Sequence, residues 1–146
     1  MDLILWRHAD AEDGYPDEKR ALTAKGHRQA ERMARWLGQH LPAKYVVLAS
    51  PALRTQQTAA ALGTRIETRA EVGLAATPDS ILHAAQWPQA RHAVVVVGHQ
   101  PTLGMTAARL LCGVDSEWSV RKGSIWWFTH EERHTILRAV LAPELA

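Results

Sequence analysis

The run Ala93-Val94-Val95-Val96-Val97-Gly98 constrains the fold more than any other part of the chain. Four consecutive valines leave no polar face, so the segment reads as a strand buried on both sides, the setting of a parallel sheet covered by helices. Apolar runs at Leu3–Trp6 and Tyr45–Leu48, and a short one near Arg65–Glu67, read as further strands. Between them lie helical patterns over Thr23–Leu41, Leu53–Leu62, Ala76–Trp87 and Thr102–Cys112, and such alternation predicts βαβ units. In the first helix Thr23 is an N-cap candidate, and Ala30, Met33, Ala34, Leu37 and Leu41 recur at three and four residues as one core-facing stripe. Pro78-Asp79 opens the third helix and Gly113 closes the fourth. The last part of the chain departs from this alternation. Ser124–Thr129 and Thr135–Leu141 flank a polar Glu-Glu-Arg turn and predict an antiparallel hairpin at the sheet edge. Its adjacent Trp126 and Trp127 must point to opposite faces, in structural roles. The fold class is therefore α/β, a three-layer α/β/α sandwich with a mostly parallel central sheet and an antiparallel edge hairpin. Residues 1–146 are expected to form one domain, with 47% apolar composition sufficient for a core.

In an open α/β sheet, ligands bind beyond the carboxyl ends of the strands. Three predicted strand ends carry chemistry. The first runs into Arg7-His8, the second into Ser50-Pro51-Ala52-Leu53-Arg54, and the valine strand into His99-Gln100-Pro101. Taken singly, Arg7-His8 could cap a strand, His99 could be a satisfied core histidine and Arg54 a surface ion-pair partner. Arg54 falls on the first turn of a helix, however, where a cation is unfavourable unless an anion binds there. Together the residues suit phosphoryl transfer, with histidine as nucleophile and cations on the non-bridging oxygens.

Four stretches in this order resemble the histidine phosphatase superfamily, which includes the cofactor-dependent phosphoglycerate mutases, and within it the small SixA-type phosphohistidine phosphatases. They are Leu-Trp-Arg-His-Ala-Asp-Ala at 5–11, Arg-Ala-Leu-Thr-Ala-Lys-Gly at 20–26, Ser-Pro-Ala-Leu-Arg-Thr-Gln-Gln-Thr at 50–58 and Val-Val-Gly-His-Gln-Pro at 96–101. The resemblance implies a phosphoglycerate mutase-like fold, with His8 as the nucleophile that becomes phosphorylated. It makes Arg7, Arg54 and His99 the phosphate pocket, and Arg20 a further phosphate contact. The family pattern has Gly where this chain has Ala9, and the added methyl is expected to narrow the pocket slightly. The arginines are expected to depress the pKa of His8, so activity should fall at acid pH.

The leaving group sets the substrate class. An alkoxide needs a general acid, whereas a phosphorylated imidazole leaves readily. The acid candidates are Asp10, Glu71 and Asp79, and the short segment from Glu71 to Ser80 offers no lid. The expected function is dephosphorylation of phosphohistidine on a protein. The alternatives are a small-molecule phosphomonoesterase of the same superfamily and a phosphate-binding module without catalysis; a mutase is disfavoured because nothing would shield its phosphoenzyme from water.

The net charge of +2 indicates no nucleic-acid partner, although the basic residues are unevenly placed and are expected to gather round the pocket. No membrane association is expected, because no apolar run approaches a transmembrane length and the amino-terminal one is cut short by Arg7. The single cysteine, Cys112, is expected in the core and fits a reducing, cytoplasmic location. His130 and His134 lack partners at ligand spacing, so no metal or other cofactor is expected. The expected partner is a phosphorylated protein or small molecule, and the expected state is a monomer.

Overall fold

A computed structural model describes residues 1–146. In chain order its elements are β1 (Asp2–Arg7), α1 (Ala24–His40), β2 (Tyr45–Ala49), α2 (Leu53–Ala60), β3 (Ile66–Thr68), α3 (Pro78–Ala84), β4 (Ala93–Gly98), α4 (Thr102–Cys112), β5 (Ile125–Glu131) and β6 (His134–Leu141). The strands form one sheet in the order β3-β2-β4-β1-β5-β6. Pairing is parallel from β3 through β2 and β4 to β1, and antiparallel from β1 through β5 to β6. The valine strand β4 lies at the centre of the parallel part and is buried along its whole length.

Strand alternation divides the core into two layers. Leu3, Leu5, Val94 and Val96 pack on one face with Ile81 of α3 and Leu103 and Ala107 of α4. Ile4, Trp6, Val95 and Val97 pack on the other with Met33, Ala34 and Leu37 of α1 and Ala59 of α2. The result is the α/β/α sandwich expected from the alternation. Trp126 and Trp127 serve opposite faces, as successive strand residues must.

Local chemistry accounts for most boundaries. The Thr23 side chain accepts from the Gly26 amide at 2.9 Å and caps α1. In α3 a capping box between Thr77 and Ser80 starts the helix two residues later than the apolar pattern suggests. That helix also stops at Ala84, short of Trp87, because Gln86 takes a positive φ of 56°. The β5–β6 hairpin turns through Glu132 and Arg133, both at positive φ, which suits the right-handed twist of a two-residue connection. Cys112, expected in the core, is exposed: it is the last residue of α4 and turns away from the sheet before Gly113.

Two glycines fix the relation of helix and loop to the sheet. A Cβ on Gly26 would overlap the Asp10 carbonyl oxygen, so only glycine lets α1 approach the segment after β1 this closely. Gly123 sits at φ +73° and its amide donates to the carbonyls of Arg7 and His8 at 3.1 and 3.0 Å. Gly26→Ala is therefore expected to destabilise the fold by about 3 kcal/mol, the upper range for overpacking. Gly38→Ala, in open space near the end of α1, should instead gain up to about 1 kcal/mol. Denaturant melts of the two variants check the pair.

Candidate active site

The register of the central strands brings three chain segments to one point. Arg7 pairs with Gly98 across β1 and β4, and Ala49 pairs with Val97 across β2 and β4. The next residue of each strand continues the ladder: the His8 amide donates to Gly98 O at 3.1 Å, and the Ser50 amide to Val97 O at 3.2 Å. His8, Ser50 and His99 consequently stand side by side, and the rings of His8 and His99 lie 5.4 Å apart, tilted by 55°.

Each turn is tied down by its own side chains. The Ser50 carbonyl accepts from Thr55 Oγ1 at 2.9 Å and Gln56 Nε2 at 2.8 Å, which sets the first turn of α2 and with it Arg54. Thr58, one turn further on, accepts from the Ala9 amide at 3.0 Å. Gln29 of α1 accepts from the Asp10 amide at 2.9 Å, and Gln57 of α2 from the Leu22 amide at 2.7 Å. An isolated antiparallel bridge between Ala11 and Leu22 closes the loop that carries Asp17 and Arg20. Ala9 is fully buried, outside the left-handed region, and packs with Leu22 and Ala30. Its methyl thus fills a small apolar cluster, where narrowing of the pocket had been expected.

The chemistry follows from these positions. His8 Nδ1 lies 2.8 Å from the Ala9 carbonyl oxygen. A carbonyl only accepts, so Nδ1 carries the proton and Nε2 keeps its lone pair. Burial, together with the charges of Arg54, Arg7 and Arg20, pushes the His8 pKa down to about 4 against the opposing pull of the Ala9 carbonyl. Burial and Arg54 likewise depress His99, to about 3. His99 Nε2 meets Ser50 Oγ at 2.8 Å, while its buried Nδ1 has no protein partner. Arg7 donates through Nη1 to Val120 O at 3.0 Å; its Nε and that of Arg54 are buried without a partner.

The five basic or histidine positions singled out in the sequence therefore gather in one region. Sequence reasoning missed the carboxylate among them. Asp17 Oδ2 is 3.0 Å from Arg54 Nη2, its carbonyl accepts from Arg54 Nη1 at 2.8 Å, and its Oδ1 is 3.0 Å from Arg20 Nη1. Both arginine bonds hold the Asp17 carboxyl below its usual range. An anion does sit against the cation at the start of α2, and it comes from the protein. The signal was available in the spacing of Asp17 three residues before Arg20, but a loop gives no periodicity to show which way a carboxylate points. Ser50 and Thr58 were also unassigned, because hydroxyl roles depend on contacts distant in sequence.

The three acid candidates are engaged elsewhere. Asp10 accepts from Thr23 Oγ1 at 2.8 Å and pairs with Lys122 at 3.2 Å, which keeps it ionised. Glu71 pairs with Arg69, and Asp79 with Arg109.

The model of the histidine phosphatase superfamily, branch 1, matches residues 3–75. The phosphohistidine phosphatase SixA of Escherichia coli is 33% identical over 123 residues, covering 77% of this chain and 76% of its own. The chain belongs to the histidine phosphatase superfamily, in its SixA-type branch, and is a phosphatase. Among solved structures, a proposed phosphohistidine phosphatase SixA from Nakamurella multipartitia shares 32% identity at a TM-score of 0.77, over 97% of this chain and 95% of that one. A SixA protein histidine phosphatase complexed with tungstate superposes with a TM-score of 0.78 at 25% identity, over 98% and 97%.

The geometry sets expectations for stability and for rate. The folded-state pKa values of His8 and His99 lie below the ordinary value of 6.5, so the unfolded chain takes up protons first as pH falls. Stability should be flat above about pH 7 and decline progressively from about pH 6.5 to 3, as read from denaturation midpoints. The acid limb of kcat/KM on an aryl phosphate, corrected for the ester's own ionisation, should fall with an apparent pKa near 4 and not near 6.5. Thr58→Val removes the acceptor of the buried Ala9 amide and should cost about 2 kcal/mol of stability while lowering kcat, because the segment carrying His8 loses its tether.

Proposed function

We propose that the protein removes the phosphoryl group from phosphohistidine on a protein partner, through a covalent intermediate on His8. The observation that carries this reading is the set of groups gathered around His8 and their hydrogen-bond partners. The imidazole is neutral with Nε2 free, Arg7, Arg20 and Arg54 supply positive charge, and the one carboxylate among them, Asp17, is held ionised. A nucleophile and charge stabilisation are at hand, but no carboxylic acid to protonate an alkoxide.

In the first step the Nε2 lone pair attacks phosphorus and a new P–N bond forms. The substrate P–N bond breaks with its electron pair going to the departing nitrogen. A phosphoimidazole protonated on its other ring nitrogen leaves as neutral imidazole and needs no proton from the protein. In the second step water attacks the phosphorylated His8, releases phosphate and returns the neutral ring. Arg7, Arg54 and His99 hold the transferring oxygens in both steps, and Arg20 adds a contact once Asp17 yields its place to the incoming dianion. The E. coli relative bears the name of a phosphohistidine phosphatase, and a protein histidine phosphatase of similar fold is complexed with the oxyanion tungstate.

Access supports a protein substrate. Between β3 and α3 the chain has only residues 69–77, including one short turn at Ala70–Val72, so no long insertion covers the strand ends from that side. From that side a protein side chain approaches with no long lid to open, and the Asp17 side chain yields to the phosphoryl group it carries.

Phosphate release from a histidine-phosphorylated protein and from an aryl phosphate, measured side by side with His8→Ala, tests the proposal. The expected result is His8-dependent release that is much faster from phosphohistidine, with an acid-labile phosphoryl group trapped on His8 after rapid quenching. Arg54→Gln should lower kcat about 10²-fold, the scale for removing one transition-state donor. A preference for the aryl ester, or turnover surviving His8→Ala, would overturn the reading.

A further inference from the structure

We propose that a basic groove beside the site binds an acidic, extended segment of the phosphorylated partner protein. This deepens the phosphohistidine reading and rests on it. The groove has a volume of about 630 Å³ and starts at Arg7. It is lined by six cations, Arg7, Lys25, Arg28, Arg32, Arg121 and Lys122, and by no hydrophobic side chain. Its carboxylates are Asp10 and Glu144, so the local excess of four positive charges is twice the net charge of the whole chain. His8, Arg54 and His99 do not line it, so it adjoins the phosphate pocket without being part of it.

Most of this charge is uncompensated. Lys122 pairs with Asp10 and Arg32 donates to an oxygen of Ala146 at 3.0 Å, but Lys25, Arg28 and Arg121 make no ion pair. Like charges gathered without counterions destabilise a surface unless an anion relieves them. Lys25, Arg28 and Arg32 lie at i, i+3 and i+7, one face of α1. At about 1.5 Å per residue they span about 10 Å, roughly three residues of an extended chain.

The spread of the charges and the lining select the occupant. Adjacent phosphates of a compact polyphosphate would crowd onto one or two of these cations, whereas carboxylates on alternate residues of an extended segment, about 6.6 Å apart, match the row along α1. No aromatic side chain lines the groove to stack a nucleobase, which disfavours nucleic acid. Because Arg7 belongs to both groove and pocket, an acidic segment lying along α1 leads directly to the histidine that carries the phosphoryl group.

The test uses two peptides, each with one chemically phosphorylated histidine, flanked on alternate positions by glutamate in one and glutamine in the other. At low salt the glutamate peptide should show a kcat/KM roughly 10-fold higher, carried by KM, and the preference should fade as salt is raised. In the variant combining Lys25→Gln, Arg28→Gln and Arg32→Gln the preference should disappear, while turnover of phosphoramidate, too small to reach the groove, stays unchanged. Equal rates for the two peptides in the parent, or an equal loss on phosphoramidate in the variant, would overturn the proposal. So would inhibition by tripolyphosphate that depends on the three cations while the peptides are not discriminated. If the parent hydrolyses neither peptide but does hydrolyse an aryl phosphate, the phosphohistidine reading fails by itself. Fluorescence anisotropy of the labelled, unphosphorylated glutamate peptide then decides the groove: binding lost in the triple variant supports it, and absent or unchanged binding overturns it.

Discussion

The parallel pairing of β1 with β4 is the constraint on which the site depends. Placing Arg7 opposite Gly98 makes both strands end at the same level, and the residue after each end is a histidine. A shift of one residue in β1 would exchange Leu3 and Leu5 for Ile4 and Trp6 between the two core layers. Both faces are apolar, so side-chain shape and the bond from Trp6 Nε1 to the Gly123 carbonyl distinguish this register, and the approach of His8 to His99 is obtained as its consequence. The same logic brings in Ser50 from β2.

Burial at the strand ends sets the electrostatics. Imidazoles that are nearly buried cannot easily carry charge, and the guanidinium groups packed around them oppose protonation further. A neutral imidazole at ordinary pH results from the fold's own geometry, with the Ala9 carbonyl choosing the nitrogen that stays free. The guanidinium groups in turn need an anion. Asp17 supplies one to Arg54 and Arg20, and phosphate is a stronger partner for the same donors because it offers more oxygens and more charge. Around this dry centre lies a second, wetter electrostatic zone on α1, where charges remain solvated and respond to salt. In the proposed reading the two zones divide the work: short-range bonds act on the phosphoryl group, and longer-range attraction acts on what carries it.

Much of the architecture was legible because hydrophobic periodicity records burial directly. The four valines predict β4 to the residue, and the stripe from Ala30 to Leu41 predicts α1 with its Thr23 cap. Where the reading slipped, local backbone conformation or position within the element was responsible. Gln86 at positive φ ends α3 early, and Cys112 falls on the outer side of an otherwise half-buried helix. His8, Arg7, Arg54 and His99 were visible because each lies at or soon after a strand end in an ordered set of motifs. Asp17 was not, since a loop residue's direction depends on the Ala11–Leu22 bridge that folds the loop back over α2.

The sequence by itself determined the layers, the central parallel strands, the superfamily and the residue types carried at the strand ends. These follow from one-dimensional information: the period of apolar residues and the order of strand-end motifs. The tertiary structure alone decided the rest. It selected which imidazole nitrogen is free, because that depends on the distance from Nδ1 to a particular carbonyl. It pressed both histidines towards the neutral form, because desolvation is a property of enclosure and not of residue type. It also aligned Lys25, Arg28 and Arg32 with Arg121 and Lys122, nearly a hundred residues away, into one groove, because electrostatic fields add through space without regard to order along the chain.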